Sequence, residues 1–332
     1  MNSVWAREDW VWKAENDTFY RILWTHKFIN AQLAPCLSVV NSYPIFKYHV
    51  SLINVRSHSN MIEDKREEIS LKERQFYLDK ALAFAKECRL VINSAISIGL
   101  KVTSKPDKSL VTTADIEAEK LFRKKAAETF PDFGVIGEEM GASNPAADFQ
   151  WIIDPIDGSS ELANGMPLYG TIIALHYKGQ PLIGVIDHPA FNSCCYGAYG
   201  LGTFCDGKRV ILNDFETETF DGTERVATAT RSNFMRYGDE AQIFDTLVQA
   251  HPNIRIYLCC YIHTCAITGA VDAAVEWNVR IWDIAATQLL IEEAGGKYQS
   301  VRQTEQPGVG TVYCAVFGKP KLVSEIVELL KL

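Results

Sequence analysis

The sequence predicts a layered α/β domain of the α+β kind, and three observations carry that expectation. Over residues 71–100 apolar residues such as Phe76, Ala81, Leu82, Ala85, Val91 and Ile92 recur at helical spacing. Over 169–212 apolar runs are broken by Lys178-Gly179-Gln180 and Asp206-Gly207, glycine turns of the kind that join paired strands. Residues 282–294 are almost continuously apolar, which reads as a buried helix stopped at Gly295-Gly296. Helices and strands mixed in this way must stack in layers to bury their apolar faces.

Residues 1–60 differ from everything after them. Four of the seven tryptophans (Trp5, Trp10, Trp12, Trp24) fall there, and no helical or alternating period runs through the segment. Its apolar stretch over 28–40 is interrupted by Asn30, Gln32 and Pro35, too broken for a membrane span and unlike a signal peptide. It is either a non-native extension ahead of a functional start at Met61 or a partner-binding arm. After the long helix, 101–109 reads as a charged loop containing Pro106, and a threonine near Thr112 caps a helix over 114–130 with Asp115 in its first turn. Strands are expected over 169–177, 181–187, 195–204, 208–212, 225–230, 254–258 and 271–276, and helices over 239–250 and 261–268.

The chain has 332 residues, 47% hydrophobic and 22% charged, enough for a sizeable core. A net charge of -8 argues against a nucleic-acid backbone or an anionic membrane as partner. Nine cysteines without a CxxC or a secretory signal predict free thiols in a reducing cytoplasm. Cys259, Cys260, His263 and Cys265 have the residue types of a zinc site, but their apolar run, YLCCYIHTCAIT, favours core packing.

The chemistry concentrates in WIIDPIDGSS, residues 151–160. Asp154 and Asp157 flank Pro155, so a chain turning there aims both carboxylates and the Ile156 carbonyl at one point. Hard oxygen ligands of this kind suit Mg²⁺. Gly158, Ser159 and Ser160 would then open a helix whose free N–H groups hold phosphate oxygens. Taken alone, the stretch is equally readable as an Asp and Gly turn. Glu138 and Asp283, each following an apolar run, add further carboxylates. Converging acids repel one another unless a cation neutralises them.

Gly137-Glu138-Glu139, Asp154 to Ser159 (DPIDGS), Trp282 to Ala286 (WDIAA) and Ala294-Gly295-Gly296 together resemble the inositol monophosphatase superfamily, in order and spacing, over about residues 70–332. The resemblance implies an alternating αβαβα sandwich of the inositol monophosphatase and fructose-1,6-bisphosphatase type. It would comprise one unit with halves at about 61–212 and 213–332, homodimeric and cytoplasmic. It further implies two or three Mg²⁺ ions, the first on Glu138, Asp154 and the Ile156 carbonyl, the second on Asp154, Asp157 and Asp283. Asp115 would pair with the Ser159 hydroxyl, the catalytic group together with Glu138, and Ser159 replaces the more usual threonine. Glu139 would hold a water or a ligand of the metal, and Gly158, Ser159 and Ser160 the phosphate.

The implied reaction is hydrolysis of a small-molecule phosphate monoester by activated water. Residues 165–175 and 184–189, with Cys260-Tyr261, are more similar to the histidinol-phosphatase branch than to the inositol branch, although Cys259 stands where that branch has an acid. Glu276 would contact substrate or be a strand-end surface acid, and Arg280 would face substrate or form a surface ion pair. Inositol monophosphate or another sugar or nucleotide phosphate is the alternative substrate. A non-catalytic metal- or phosphate-binding module is the rival of another class. A chain starting at Met61 is expected to keep its activity and its melting temperature, because no motif lies upstream; enzyme assay and calorimetry of that shortened chain check this.

Overall fold

The computed structural model describes residues 64–105, 109–215 and 222–331. Expectations for residues 1–60 lie outside the described residues. Helix α1 (Leu71–Ile98) begins at Ser70, whose hydroxyl accepts from the Glu73 N–H while the Glu73 carboxylate accepts from the Ser70 N–H. Leu78, Ala81, Ala85, Cys88 and Ile92 form its buried stripe. The expected charged loop after it is instead a short hairpin of β1 (Val102–Ser104) and β2 (Leu110–Thr112). Charge dominated its composition, yet the β-branched residues Val102, Thr103, Val111 and Thr112 favour pairing. Helix α2 (Thr113–Thr129) follows, capped by Thr112 with Asp115 as the reciprocal partner.

An eight-stranded sheet then forms from β3 (Gly134–Gly137), β4 (Gly141–Ser143), β5 (Phe149–Asp157), β6 (Gly170–Tyr177), β7 (Gln180–His188), β8 (Ser193–Ala198), β9 (Gly202–Cys205) and β10 (Lys208–Arg209). Its order is β10-β9-β8-β7-β6-β5-β3-β4, and only β3 and β5 run parallel. A short helix, α3 (Ser159–Ala163), leaves the end of β5. The second sheet has the order β12-β11-β13-β15-β14, from β11 (Val226–Thr228), β12 (Arg255–Ile256), β13 (Ala273–Val279), β14 (Lys297–Gln306) and β15 (Gly310–Gly318). Helices α4 (Arg231–Met235), α5 (Ala241–Ala250), α6 (Cys259–Ile267), α7 (Ile281–Ile284), α8 (Thr287–Glu293) and α9 (Pro320–Leu329) complete the described chain.

Side-chain alternation sorts these elements into five layers. Along β5, Trp151 and Ile153 point into a core with α1 and α2, while Ile152 points into a second core with α6, α7 and α8. On β13, Ala274 faces that second core, whereas Ala273, Val275 and Trp277 face a third, closed by Phe234, Phe244, Leu322 and Ile326 of α4, α5 and α9. The result is the expected αβαβα order, with both faces of each sheet buried. That is why the central strands are apolar at successive positions. Phe84, Phe122 and Trp151 meet edge-on at 5.5–6.0 Å, locking α1 and α2 to β5.

Four further element expectations are corrected. The strand expected over 195–204 is two strands, turned at 199–201. The expected strands over 208–212 and 254–258 shrink to two residues each, at exposed positions. The single helix expected over 282–294 is split into α7 and α8. At the break the Ala285 carbonyl lies 3.2 Å from His176 Nε2, and the Ala286 carbonyl presses on Gly184, where a Cβ would come within 2.9 Å. Apolarity reads through a break that backbone contacts impose.

The free-thiol expectation is also corrected. Cys195 and Cys205 oppose each other in the β8–β9 ladder and are joined by a disulfide, while Cys88, Cys194, Cys259, Cys260, Cys265 and Cys314 are free. The turn between the strands, invisible in the residue count, brings the pair together. The Cys259–Cys265 run packs as expected: His263 is buried, bonds Thr287 Oγ1 at 2.7 Å and stacks on Phe317.

Burial pushes His263 down from 6.5 to about 3, so the fold holds it neutral. Below 6.5 the unfolded chain takes up a proton that the folded chain refuses until about pH 3. Stability is therefore lost as pH falls through that window, by up to about 1.4 kcal/mol per pH unit from this group. His263→Gln should flatten the dependence by one proton's slope, as read from urea unfolding at a series of pH values.

Candidate active site

The site forms where β5 ends. Opposite residues of a strand pair alternate faces, so Asp154 and Asp157, three apart, would point in opposite directions on a regular ladder. They do not, because the β5–β6 register shifts between them: Asp154 pairs with Ile172 and Asp157 with Gly170, leaving Pro155 and Ile156 opposite Thr171 alone. Pro155 has no N–H to lose, and its carbonyl accepts from Thr171 Oγ1 at 2.8 Å. The Ile156 N–H donates to Asp154 Oδ1 at 2.9 Å. Asp283 arrives from α7, its carboxylate fixed by the Arg280 N–H at 2.6 Å.

Oxygens of Asp154, Asp157 and Asp283 come within 4.8 Å of one another. Burial, then the neighbouring acids, pushes Asp154 and Asp157 well above the usual carboxylate range and Asp283 up to about 7. Asp157 Oδ2 is buried with no hydrogen-bond partner. Three hard oxygen donors, one of them orphaned, fit a divalent cation. Glu138 lies outside the 4.8 Å group but near enough that its charge helps raise all three acids. Its N–H donates to the Ile153 carbonyl at 3.3 Å, but its carboxylate is held by Lys105 Nζ at 2.7 Å.

Lys105 also meets Glu139 at 2.6 Å. Burial opposes the Lys105 charge, yet the two glutamates hold its pKa above normal; for Glu139, burial outweighs the lysine and lifts it to about 7. Glu119 fixes the turn that carries both glutamates. Fully buried on α2, it accepts from the Glu139 and Met140 N–H groups at 2.8 and 3.1 Å, and lies so close to Gly137 that a Cβ there would sit 2.2 Å from its carboxylate. Sequence reading missed Glu119 and Lys105. Glu119 was legible, since it lies one helical turn beyond Asp115 on the stripe of Ala118 and Phe122. Lys105 was hidden in the segment taken for a loop.

Ser159 Oγ donates to Asp115 Oδ1 at 2.5 Å and lies 3.1 Å from the Ile156 carbonyl. Asp115 Oδ2 accepts from the Thr112 hydroxyl and N–H at 2.5 and 2.8 Å. Burial raises the Asp115 pKa, and these hydrogen bonds hold the rise in check. Gly158 turns the chain into α3 at φ +102°, a left-handed conformation, with Cys259 Sγ and the Leu168 carbonyl pressed against the space a Cβ would need.

Beside the cluster opens a cavity of about 310 Å³ whose wall includes Asp157, Ser160, Glu161, Arg236, Glu276 and Asp283. Burial and Asp283 push Glu276 up to about 8, so it is no surface acid. Arg280 does not line the cavity. Its guanidinium bonds the Val309 carbonyl and lies over the Trp282 ring, and among the described residues it forms no ion pair. Arg236, unremarked in the sequence, is the cation on the wall.

The family model for the inositol monophosphatase family matches residues 73–328. The chain belongs to the inositol monophosphatase family. It is 32% identical over 217 residues to a protein of Mycobacterium tuberculosis named histidinol-phosphatase, covering 65% of this chain and 83% of that one. It is 29% identical to a protein of Aquifex aeolicus named fructose-1,6-bisphosphatase/inositol-1-monophosphatase, over 60% and 75% of the two chains. An inositol monophosphatase structure from Zymomonas mobilis shares the fold at a TM-score of 0.65 and 24% identity, covering 78% of this chain and 98% of that one. Inositol monophosphatase-family proteins are metal-dependent phosphatases, and the acidic cluster described here matches that chemistry.

Metal and pH should act on stability together. Acids raised in the fold stabilise it below their unfolded pKa of about 3.8, and that contribution is lost as pH rises through about 7, the folded value for Asp283. Without metal, the melting temperature should therefore fall between about pH 4 and pH 7, and Mg²⁺ should raise it more at the higher pH. Differential scanning fluorimetry with Mg²⁺ and with a chelator reads both effects.

Proposed function

We propose that the chain is a Mg²⁺-dependent phosphatase of small phosphate monoesters, with histidinol phosphate as its substrate, converted to histidinol and inorganic phosphate. The observation that carries the phosphatase reading is the partly buried Asp154–Asp157–Asp283 cluster, with its orphaned oxygen, of which Asp157 and Asp283 reach the wall of a cavity that Ser160 and Glu276 also line. The name of the Mycobacterium tuberculosis relative supports the substrate, as does a cavity wall rich in carboxylates, suited to an ammonium. Inositol monophosphate or a sugar bisphosphate is the second reading, favoured by the name of the Aquifex aeolicus relative.

Asp154, Asp157, Asp283, Glu138 and the Ile156 carbonyl would hold two or three ions. Bound there, divalent ions stabilise the charge on the attacking and leaving oxygens of an in-line displacement. Ser159, with its hydroxyl held by Asp115, orients the attacking water and takes part in removing its proton. The N–H groups of Gly158, Ser159 and Ser160 receive the phosphate oxygens. Glu138 shares the catalytic role through its position beside Asp154, and Glu139, tied to Lys105 and Glu119, keeps that carboxylate in place. The halves 61–212 and 213–332 would act as one unit, as a cytoplasmic homodimer. Among the described residues no helix is long and apolar enough to cross a membrane.

Phosphate release from L-histidinol phosphate, inositol monophosphate and fructose bisphosphate, with and without Mg²⁺, tests the reading. L-histidinol phosphate should give the highest kcat/KM, and chelation should abolish turnover. Asp154→Asn should cost at least about 100-fold and Ser159→Ala a similar factor, while Asp283→Asn should cost less. Full activity in Asp154→Asn would overturn the assignment, and so would turnover indifferent to metal.

A further inference from the structure

We infer that Glu161 selects substrates whose alcohol half carries a primary ammonium, its carboxylate receiving that group on the cavity wall beside Cys259. The inference rests on the phosphatase reading above and adds the residue that reads the substrate's organic half. Glu161 follows directly on the Ser159-Ser160 turn and lines the cavity with Asp157, whose orphaned Oδ2 already shows that the protein alone does not satisfy the site. Of the wall carboxylates, Asp157 and Asp283 belong to the metal cluster, which leaves Glu161 and Glu276 for the substrate.

Arg236 acts on Glu276 and Asp283, and among the described residues no lysine, arginine or histidine lies within ion-pair distance of Glu161. The hydrogen-bond partner of its carboxylate is the Cys259 thiol, 3.2 Å from Oε2. A thiol is a weak donor and carries no charge to offset the carboxylate's. Burial and the nearby Asp157 and Glu161 keep that thiol protonated and neutral. An ammonium, with three charged N–H donors, outcompetes it for the same oxygen.

The geometry of Cys259 supports the assignment. It begins α6 at φ +55°, in the left-handed region that Asp and Asn tolerate better than cysteine. The backbone there accepts an acid, yet the acid in contact with that position comes from Glu161, across 98 residues of chain. Carboxylate chemistry expected before Cys260-Tyr261 is thus supplied from the other wall.

The test compares kcat/KM for L-histidinol phosphate with that for its deamino analogue, imidazolylpropyl phosphate. Mg²⁺-loaded wild type, Glu161→Gln, Glu161→Asp and the double variant E161Q/C259D are measured, with L-histidinol binding by calorimetry alongside. Wild type should prefer the amine at least about 10-fold, through KM, and Glu161→Gln should bring the ratio to within about 2-fold. Glu161→Asp should keep part of the preference, and the double variant should regain it. An unchanged ratio in folded Glu161→Gln overturns the inference, as does an equal loss on both substrates. If wild type hydrolyses neither compound, the histidinol phosphate reading fails. Calorimetry then decides separately: weaker L-histidinol binding to Glu161→Gln, or to Glu161→Asp should the first not fold, upholds the role of Glu161, and equal binding ends it.

Discussion

Mutual repulsion of buried carboxylates at the end of β5 is the constraint on which the structure turns. Asp154, Asp157 and Asp283 lie within 4.8 Å, in a setting where one ionised carboxylate without a partner is already costly. The chain supplies only part of what they need. The Ile156 N–H reaches Asp154 and the Arg280 N–H reaches Asp283, but Asp157 Oδ2 is left with nothing. A fold selected for stability alone would have placed apolar residues there. The bulge that turns Asp157 toward Asp154 therefore makes sense as a device for holding charge ready for a cation.

Around this strained centre, the supporting acids are well satisfied. Asp115 and Glu119 are fully buried on one face of α2, and each accepts backbone N–H bonds, Asp115 from Thr112 and Glu119 from Glu139 and Met140. One helix thus fixes both the Ser159 hydroxyl and the Glu138–Glu139 turn. Its own position depends on Phe122, wedged between Phe84 and Trp151. Trp151 begins the run of β5 that ends in the two aspartates. Removing a ring of this kind costs about 3–5 kcal/mol, so packing and site geometry are coupled through a single strand.

The layered fold was legible because apolar periods survive in sequence. Ala81, Ala85 and Ile92 announce α1, and turns at Gly179 and Gly207 announce hairpins. The acid cluster was legible for another reason: Asp154, Asp157 and Asp283 each follow an apolar run that must end at a buried edge. What stayed hidden depends on contacts between distant segments. The α7–α8 break arises from His176 and Gly184, about a hundred residues away, and the Cys195–Cys205 bridge from a turn that apolar composition conceals. The contacts of Arg280, whose guanidinium meets the Val309 carbonyl and the Trp282 ring, were likewise hidden in sequence. The strands β14 and β15 and the helix α9 were not read at all; β14 is half-exposed over most of its length and lacks a clean alternation.

The two ends of the cavity differ in how they treat negative charge, and the difference argues for how substrates are told apart. At the β5 end, carboxylates are crowded until only a cation resolves them, and a phosphate follows that cation. At the start of α6, Glu161 has no cation beside it among the described residues and is met by a neutral thiol. On the proposed reading, relatives that share the cluster can share phosphoryl chemistry whatever occupies the rest of the wall, because bound ions and the Ser159–Asp115 pair would act on the phosphate alone. Divergence in substrate then needs changes only at wall residues such as Glu161, Arg236, Cys259 and Glu276, so a family of one fold can serve several phosphate esters.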